Sequence, residues 1–303
     1  MKVSLVATVK DAGPAIHGFL ESVAAQTRAP DEVIVVDGGS TDGTLQILEG
    51  APGVTLVSEP GANISRGRNV AVRAAAHEVI AVTDADCALA PDWLERMLEP
   101  LSAGALVVGG FYRPAGRNLV QRLTAAVSLP DREEVRPGWM PSSRSLAFRR
   151  EAFDAVGGYP EWLEVGEDMY FDHRLVESGF EPVLALDAVV EWELRPTPSA
   201  TWRQYFRYAE GDALGGMYPE RHALRFATYA FALLTVVVRR WWLVVPAVAG
   251  AAAYARTPLR RIWWRSTPES RPIGVLGVPP MMAFIDLAKM AGYLGGLVRR
   301  LRR

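Results

Sequence analysis

Two aspartates, Asp84 and Asp86, stand two residues apart directly after the apolar run at residues 79–83. The run has the length and the β-branched content of a strand, and both carboxylates lie on one face if the strand continues. Neighbouring carboxylates repel one another, and a divalent cation that prefers oxygen ligands, Mg²⁺ or Mn²⁺, would remove that cost and hold a diphosphate. An aspartate-rich loop without a metal is the alternative, because the pattern Asp-x-Asp also recurs by chance.

A second acidic pair, Glu167 and Asp168, follows Gly166 and begins a predicted helix that reaches Glu177. Acidic side chains are favoured at helix N-termini, so the pair could simply cap the helix and complement its dipole. A partly buried carboxylate at this place could instead act as a general base. Both interpretations stay open at this point.

The elements that must position these side chains alternate between strands and helices. This alternation predicts an α/β fold with a mostly parallel, Rossmann-like sheet that is covered by helices on both faces. Ligands bind at the carboxyl ends of such strands, and the polar segments 8–11, 37–42 and 84–86 all fall there. Strands are predicted at residues 3–9, 32–36, 54–57, 79–83, 106–112, 144–150, 183–186 and 188–192, and helices at 15–26, 44–49, 67–76, 151–156 and 167–177.

Charge is divided unevenly along the chain. Residues 1–198 contain 17 Lys and Arg against 29 Asp and Glu, whereas residues 199–303 contain 16 against 5. The basic C-terminal part also carries long uncharged runs, so an anionic membrane surface suits it better than nucleic acid does. We therefore expect membrane lipid, and no nucleic acid, as a partner.

Two apolar runs make up most of this C-terminal part. Arg239 and Arg240 interrupt the first run, residues 226–255, near its centre, which is costly for a single membrane span. A helical hairpin with the two arginines at its turn, or helices that lie in the membrane interface, fits better. The second run, residues 273–298, is long enough to span but contains Asp286. The alternative is that both runs are buried helices that pack on the body of the protein, in a homodimer.

Several other chemistries find no support in the sequence. The single cysteine, Cys87, excludes an intrachain disulfide, and the four histidines neither cluster nor show zinc spacing. The sequence has no Gly-x-Gly-x-x-Gly or Walker loop. A nucleotidyltransferase usually carries a Gly-rich basic loop after its first strand, and residues 10–14 match that pattern poorly.

The order and spacing of these segments resemble the family 2 glycosyltransferases of GT-A fold. The resemblance covers residues 3 to about 212, so we place a catalytic domain at residues 1–212 and a helical, membrane-associated region at residues 213–303. The segments that carry it are VSLVATVK (3–10), SVAAQT (22–27), EVIVVDGGSTDGT (32–44), GRNVA (67–71), TDAD (83–86), AFRR (147–150), GGY (157–159) and GED (166–168).

The resemblance implies inverting transfer of a sugar from a nucleoside diphosphate sugar to a lipid-linked or glycan acceptor. It implies that Asp86 ligates Mg²⁺ or Mn²⁺, and that Asp168 is the general base with Glu167 as the competing candidate. It places Asp84 by the ribose and Arg68 near the nucleobase or the phosphates. The other nucleotide-sugar-binding residues are Thr8, Lys10, Asp11, Asp37, Gly39 and Ala85, and those on the acceptor side are Gln204, Arg207 and Tyr208.

Two positions depart from the family pattern. Many members carry a second carboxylate, which contacts the nucleobase, where this chain has Gly38, and the choice of base is therefore open. The family motif Gln-x-x-Arg-Trp corresponds to QYFRY (204–208) here, and the final tyrosine keeps an aromatic platform.

The sequence therefore predicts a metal-dependent glycosyltransferase of cell-envelope polysaccharide synthesis at the cytoplasmic membrane. The arginines of the C-terminal region place the catalytic domain on the cytoplasmic side. A catalytically inactive member that binds nucleotide sugars or acts as a scaffold is one alternative, and a nucleotidyltransferase is the other.

Overall fold

The computed structural model describes residues 1–302, with the exception of the side chain of Trp241. The strands are β1 (Val3–Val9), β2 (Glu32–Asp37), β3 (Val54–Ser58), β4 (Val79–Asp84), β5 (Cys87–Leu89), β6 (Val107–Ala115), β7 (Leu146–Arg149) and β8 (Val183–Glu193). The α-helices are α1 (Ile16–Ala24), α2 (Thr44–Glu49), α3 (Ile64–Ala74), α4 (Trp93–Ser102), α5 (Leu119–Ser128), α6 (Arg150–Val156), α7 (Glu167–Glu177), α8 (Pro198–Gly215), α9 (Pro219–Val238), α10 (Trp241–Arg265) and α11 (Arg271–Leu301).

All of these strands belong to one sheet with the order β3-β2-β1-β4-β7-β6-β8-β5. Strands β1 to β4 pair in parallel, as the sequence predicts. Strand β7 lies antiparallel to both β4 and β6, and β5 lies antiparallel to β8. The sheet is therefore mixed: its parallel half carries the predicted alternation of strands and helices, and an antiparallel half extends it.

The parallel strands end together at one edge of the sheet. Thr8 of β1 is in register with Asp84 of β4, and Val9 is in register with Asp37 of β2. The prediction that the three polar segments share one rim is confirmed, because parallel register brings the ends of β1, β2 and β4 side by side.

An aromatic core fixes the helices that lie over this half of the sheet. The rings of Phe148, Phe153, Phe171 and Tyr159 contact one another in a buried cluster shared by β7, α6, α7 and the loop between the two helices. Tyr159 and Phe171 are stacked with their ring centroids 4.1 Å apart. Burial of rings of this size dominates core energetics, so the cluster anchors α7 and with it the acidic pair at the start of that helix.

The structure differs from the sequence-based expectation at three places, each for a local reason. Strand β4 ends at Asp84 and turns at Ala85 and Asp86, so the two aspartates do not lie on one continuous strand. Helix α3 begins at Ile64 because the side chain of Asn63 caps it by accepting the Arg66 N–H at 2.9 Å. Strand β8 is continuous because Asp187, where the sequence suggested a break, lies on its exposed side.

The chain divides into two compact units, residues 1–114 with 136–193 and residues 115–135 with those from 194 onward. In the second unit α8 packs closely on α11, where a Cβ at Gly292 would lie 2.0 Å from the Phe206 carbonyl oxygen. By its contacts α8 thus belongs with the C-terminal helices. A functional boundary at residue 212 stays a prediction.

The C-terminal helices break where the sequence predicts. Helix α9 ends before Arg239, which has a left-handed φ of 53°, and α10 begins after Arg240. Among the described helices, Pro219–Val238 and Arg271–Leu301 are long and apolar enough to cross a membrane. Large apolar side chains stay exposed along α9 and α10, which is the surface expected of helices in contact with lipid.

The acidic residue within the second apolar run is buried and paired. Asp286 of α11 accepts hydrogen bonds from Arg225 Nε at 2.8 Å and from the hydroxyls of Tyr229 and Tyr254 at 3.2 and 3.1 Å. A charge among apolar helices is tolerated when it is paired in this way, so Asp286 ties α9, α10 and α11 together.

Candidate active site

A buried arginine lies at the centre of the candidate site. The side chain of Arg68 is 2% exposed and donates hydrogen bonds to Asp84 Oδ1 at 2.6 Å and to Glu167 Oε1 at 2.7 Å. The ring of Tyr159 lies 5.2 Å from its guanidinium carbon. Arg68 is therefore not a solvated charge on the helix surface, in contrast to the neighbouring Arg66 and Arg73, which are exposed.

The residues on either side of Arg68 explain how it reaches this place. A Cβ at Gly67 would lie 2.8 Å from Thr8 Cγ2, so glycine lets α3 approach the end of β1. Asn69 accepts the Tyr159 N–H at 2.8 Å and donates to the Tyr159 carbonyl at 2.9 Å, which fixes the loop that leads to α7. The Gly-Arg-Asn segment thus positions both α3 and the acidic pair.

The two carboxyl groups that contact Arg68, those of Glu167 and Asp84, have pKa values shifted in opposite directions. Burial, together with the nearby Asp168 charge, raises the pKa of Glu167 to about 7, and Arg68 only partly opposes this. Burial also acts against ionisation of Asp84, but Arg68 and Arg144 outweigh it and hold the pKa of that carboxyl below its usual value. Asp84 is consequently the permanent counter-ion of Arg68, and Glu167 is the partner that can gain or lose its charge near neutral pH.

Asp168 is half-buried at the start of α7, with each carboxylate oxygen held by one donor. Ser142 Oγ donates to its Oδ2 at 2.9 Å, and the Met169 N–H donates to its Oδ1 at 2.9 Å. Each oxygen can accept a further hydrogen bond, so the geometry allows Asp168 to receive a proton from a hydroxyl group.

Two residues that the sequence analysis did not identify connect Asp168 with Asp84. Arg144 Nη1 donates to Ser142 Oγ at 2.9 Å, and Arg144 Nε lies 3.7 Å from Asp84 Oδ2. Both residues lie just before β7, in a segment whose strand-like spacing gave no sign of a role. Ser142 and Arg144 therefore link the two acidic groups through two hydrogen bonds and one ion pair.

A fourth carboxyl group, Asp172, lies one turn after Asp168 on α7. Its side chain is fully buried, and neither oxygen has a hydrogen-bond partner among the described residues. Burial, with a further contribution from Asp168, raises the pKa of Asp172 well above its ordinary value, so folding favours the protonated form of this carboxyl group. The i, i+4 spacing from Asp168 was the one sequence signal for this residue.

Asp172→Asn is expected to stabilise the protein increasingly as the pH rises. Because the folded protein retains a proton that the unfolded chain releases above its ordinary pKa of 3.8, wild-type stability falls as the pH increases, and the amide avoids this cost. Urea unfolding should give similar stabilities near pH 4 and a clear advantage of the variant near pH 7. Asp154→Asn, at an exposed site on α6, is the control. Parallel stability curves for wild type and Asp172→Asn would contradict the assignment.

The predicted metal ligand Asp86 is exposed in the turn after β4, and the adjacent Ala85 is buried. Among the described residues, no group of three or more His, Cys, Asp or Glu side chains is arranged to hold a metal ion. Mg²⁺ and similar ions are often held by one or two carboxylates together with water and substrate phosphates. A single accessible carboxylate therefore fits an ion that is bound jointly with a diphosphate.

The loops after β1 and β2 hold one another in place. Asp37 is buried and accepts the N–H groups of Gly39 and Ser40 at 2.9 and 3.0 Å, and Asp11 accepts the Thr41 N–H at 2.8 Å. Gly39 has a φ of 90°, which favours glycine. Asp37 thus orders its own loop in this structure, and contact of Thr8, Lys10, Asp11 and Asp37 with a nucleotide stays a prediction.

The departure from the family pattern at Gly38 has a local explanation. A Cβ at this position would lie 3.1 Å from the Ala62 carbonyl oxygen. A side chain at this position would therefore require the loop around Ala62 to shift by a few tenths of an ångström.

The predicted acceptor-side residues lie on α8 in the second unit. Gln204 Nε2 donates to the Tyr208 hydroxyl at 2.9 Å, while Gln204 Oε1 is buried without a hydrogen-bond partner among the described residues. The rings of Tyr205 and Tyr208 meet edge to face, 5.8 Å apart. Gln204 and Tyr208 are thus adjacent on one helix face, and a role of these residues and Arg207 in acceptor binding stays a prediction.

The fold and this site define a class of protein. The α/β sheet with its acidic rim has the GT-A architecture. The chain superposes with a TM-score of 0.58 on the mannosyltransferase PcManGT from Pyrobaculum calidifontis, which was solved in complex with GDP-Man and Mn²⁺. The superposition covers 99% of this chain and 87% of that one, at 19% sequence identity. The family profile described as Glycosyl transferase family 2 matches residues 4–157. The chain belongs to this family and is a glycosyltransferase.

Curated relatives are similar over most of their length. Glycosyltransferase AglE of Haloferax volcanii is 26% identical over 270 residues, which cover 86% of this chain and 85% of AglE. The succinoglycan biosynthesis protein ExoA of Rhizobium meliloti is 28% identical over 297 residues, which cover 89% of this chain and 87% of ExoA. The similarity therefore extends beyond the matched family segment into the C-terminal helices.

Proposed function

We propose that the protein transfers a sugar, with inversion, from a nucleoside diphosphate sugar to a glycan or lipid-linked acceptor, and that Asp168 is the general base. The observation that carries this proposal is the group of Arg68, Asp84, Glu167 and Asp168 at the carboxyl edge of the sheet. Substrates of α/β folds bind at this edge, and the group combines a held base with a fixed positive charge.

The proposed reaction forms one bond, breaks one bond and transfers one proton. The acceptor oxygen forms a bond to the anomeric carbon of the sugar, its proton moves to Asp168, and the bond from that carbon to the diphosphate breaks on the opposite side. Ser142 keeps Asp168 oriented through its 2.9 Å hydrogen bond. Arg144, which donates a hydrogen bond to Ser142 and lies close to Asp84, keeps Ser142 in place and adds positive charge between the two acidic groups.

A divalent cation, Mg²⁺ or Mn²⁺, completes the proposal. Asp86 would hold it, and the ion when bound neutralises charge on the diphosphate. Support comes from the accessible carboxylate of Asp86 and from the Mn²⁺ in the structure of PcManGT, which shares the fold.

We further propose that the C-terminal helices attach the protein to the cytoplasmic membrane, with the catalytic part on the cytoplasmic side. The exposed apolar side chains of α9 and α10 and two helices of sufficient length and hydropathy support this location. Exposed Trp242, Trp263 and Trp264 suit the membrane interface, and the adjacent arginines suit anionic head groups.

Thermal unfolding of the full chain with nucleoside diphosphates, with and without Mn²⁺, tests the donor and metal parts of the proposal. Binding at 100 times the dissociation constant stabilises a protein by about 2.7 kcal/mol, so one nucleotide should raise the melting temperature clearly, and more so with Mn²⁺. Asp86→Ala should lose the Mn²⁺-dependent part, whereas Asp92→Ala, an exposed aspartate on a surface ion pair, should keep it. No response to any nucleotide would overturn the proposal, and an unchanged Mn²⁺ response in Asp86→Ala would remove Asp86 as the ligand.

A further inference from the structure

Four aromatic side chains that the proposed reaction does not use lie together beside the candidate site. We call Phe111 and Tyr112 of β6, Trp139, and Trp192 of β8 the aromatic wall. Trp139 lies 5.8 Å from Tyr112 and 6.3 Å from Phe111, and Tyr112 meets Trp192 edge to face at 6.4 Å, all between ring centroids. These distances are those of contacting rings, so the wall is one continuous aromatic surface.

The aromatic wall is connected to Asp168 through one residue. The guanidinium carbon of Arg144 lies 4.1 Å from the centre of the Trp192 ring and 5.9 Å from that of Tyr112. The same guanidinium donates to Ser142, which in turn donates to Asp168. The aromatic wall is therefore connected to Asp168 through Arg144 and Ser142.

The wall is only partly covered. Phe111 and Trp192 are buried, whereas Tyr112 and Trp139 keep part of their surface accessible to solvent. The indole N–H of Trp192 has no hydrogen-bond partner among the described residues, which is costly for a buried donor and unusual in a core built for stability alone. The partly exposed rings of Tyr112 and Trp139 are the part of the wall that a ligand can reach.

We propose that Tyr112 and Trp139 form a subsite for a pyranose ring of the acceptor, so that the acceptor is already glycosylated when it binds; this rests on the proposed function. A sugar ring offers an apolar C–H face to an aromatic ring and hydroxyls to polar groups at its edge, and the wall supplies rings beside the guanidinium of Arg144. An unsubstituted hydrocarbon chain would fit less well, because it has no hydroxyl groups to offer the polar groups at the edge of the wall.

Binding of soluble methyl glycosides to the full chain, followed by saturation-transfer NMR, tests this subsite. The probes are methyl glycosides of glucose, mannose, galactose and N-acetylglucosamine, with 1-hexanol as the uncharged probe for a hydrocarbon chain. At least one glycoside should bind the wild type, and Trp139→Ala should weaken its binding about tenfold, the loss expected from one aromatic contact. Trp139→Phe should keep most of the affinity, and Trp264→Ala, an exposed tryptophan in the second unit, should keep all of it.

Nucleotide-induced thermal stabilisation, measured on the same variants, separates the two proposals. If Trp139→Ala loses glycoside binding but keeps its nucleotide response, the aromatic subsite and the proposed function are both supported. If glycoside binding falls in Trp139→Ala and no variant responds to nucleotides, the subsite stands and the proposed function fails. Three results would overturn the subsite: equal glycoside binding by wild type and Trp139→Ala, no glycoside binding by a wild type that responds to nucleotides, or tighter binding of 1-hexanol than of every glycoside.

Discussion

Asp168→Asn is expected to lower the rate of sugar transfer by about 10²–10⁴-fold, which is the contribution of a positioned general base. The amide keeps the size of the carboxylate but cannot accept the acceptor proton, so kcat should fall while the nucleotide-induced thermal shift stays as in the wild type. Steady-state transfer assays with a detected donor and acceptor pair, together with that thermal shift, provide the measurement. A variant with near wild-type kcat would exclude Asp168 as the base.

Glu167→Gln is the matched comparison for Asp168→Asn. Glu167 is buried, and its carboxyl group is bound to Arg68 rather than presented to a substrate. Because the pKa of Glu167 is raised to about 7, its pairing with Arg68 weakens as the pH falls through that value. The glutamine variant should therefore lose any activity change centred near pH 7 while retaining more activity than Asp168→Asn. If Glu167→Gln lost more activity than Asp168→Asn, Glu167 rather than Asp168 would be the general base.

Arg68→Met is expected to destabilise the protein by about 3–5 kcal/mol, the usual cost of removing one partner of a buried ion pair. The substitution leaves Asp84 and Glu167 without the guanidinium that both contact, and transfer activity should be lost with the fold. Equilibrium urea unfolding of the full chain measures the first effect.

Two further variants test whether the loss of stability in Arg68→Met comes from its buried ion pairs. Arg66→Met removes an arginine from the same helix whose pair with Glu59 is exposed, and it should cost no more than about 1 kcal/mol. The double variant Arg68→Met with Glu167→Gln also removes one of the two carboxylates that Arg68→Met leaves without a counter-ion. It should therefore be more stable than Arg68→Met alone. Equal stability of Arg68→Met and Arg66→Met would show that the buried ion pairs contribute little.

Much of the fold was predictable because its signals are local. Strand-length apolar runs that alternate with amphipathic helices predict a parallel sheet, and parallel register alone brings Thr8, Asp37 and Asp84 to one edge. The start of α7 at Glu167 and the helix break at residues 239–240 also followed from neighbouring residues. Where a neighbour changed the outcome, as the Asn63 cap did for α3, the boundary moved by a few residues.

The sequence by itself thus determined the family, the parallel half of the sheet and the segments that carry the acidic groups, since each is encoded within a few consecutive residues. Only the tertiary structure decided which groups meet. Arg68 pairs with Glu167 across 99 residues, and Ser142 reaches Asp168 across 26. Burial of Asp172 and the joining of Tyr112, Trp139 and Trp192 into one wall likewise depend on strand order and core packing. The physical reason is that long-range pairing and burial are fixed by how the elements pack, which no local pattern of residues specifies.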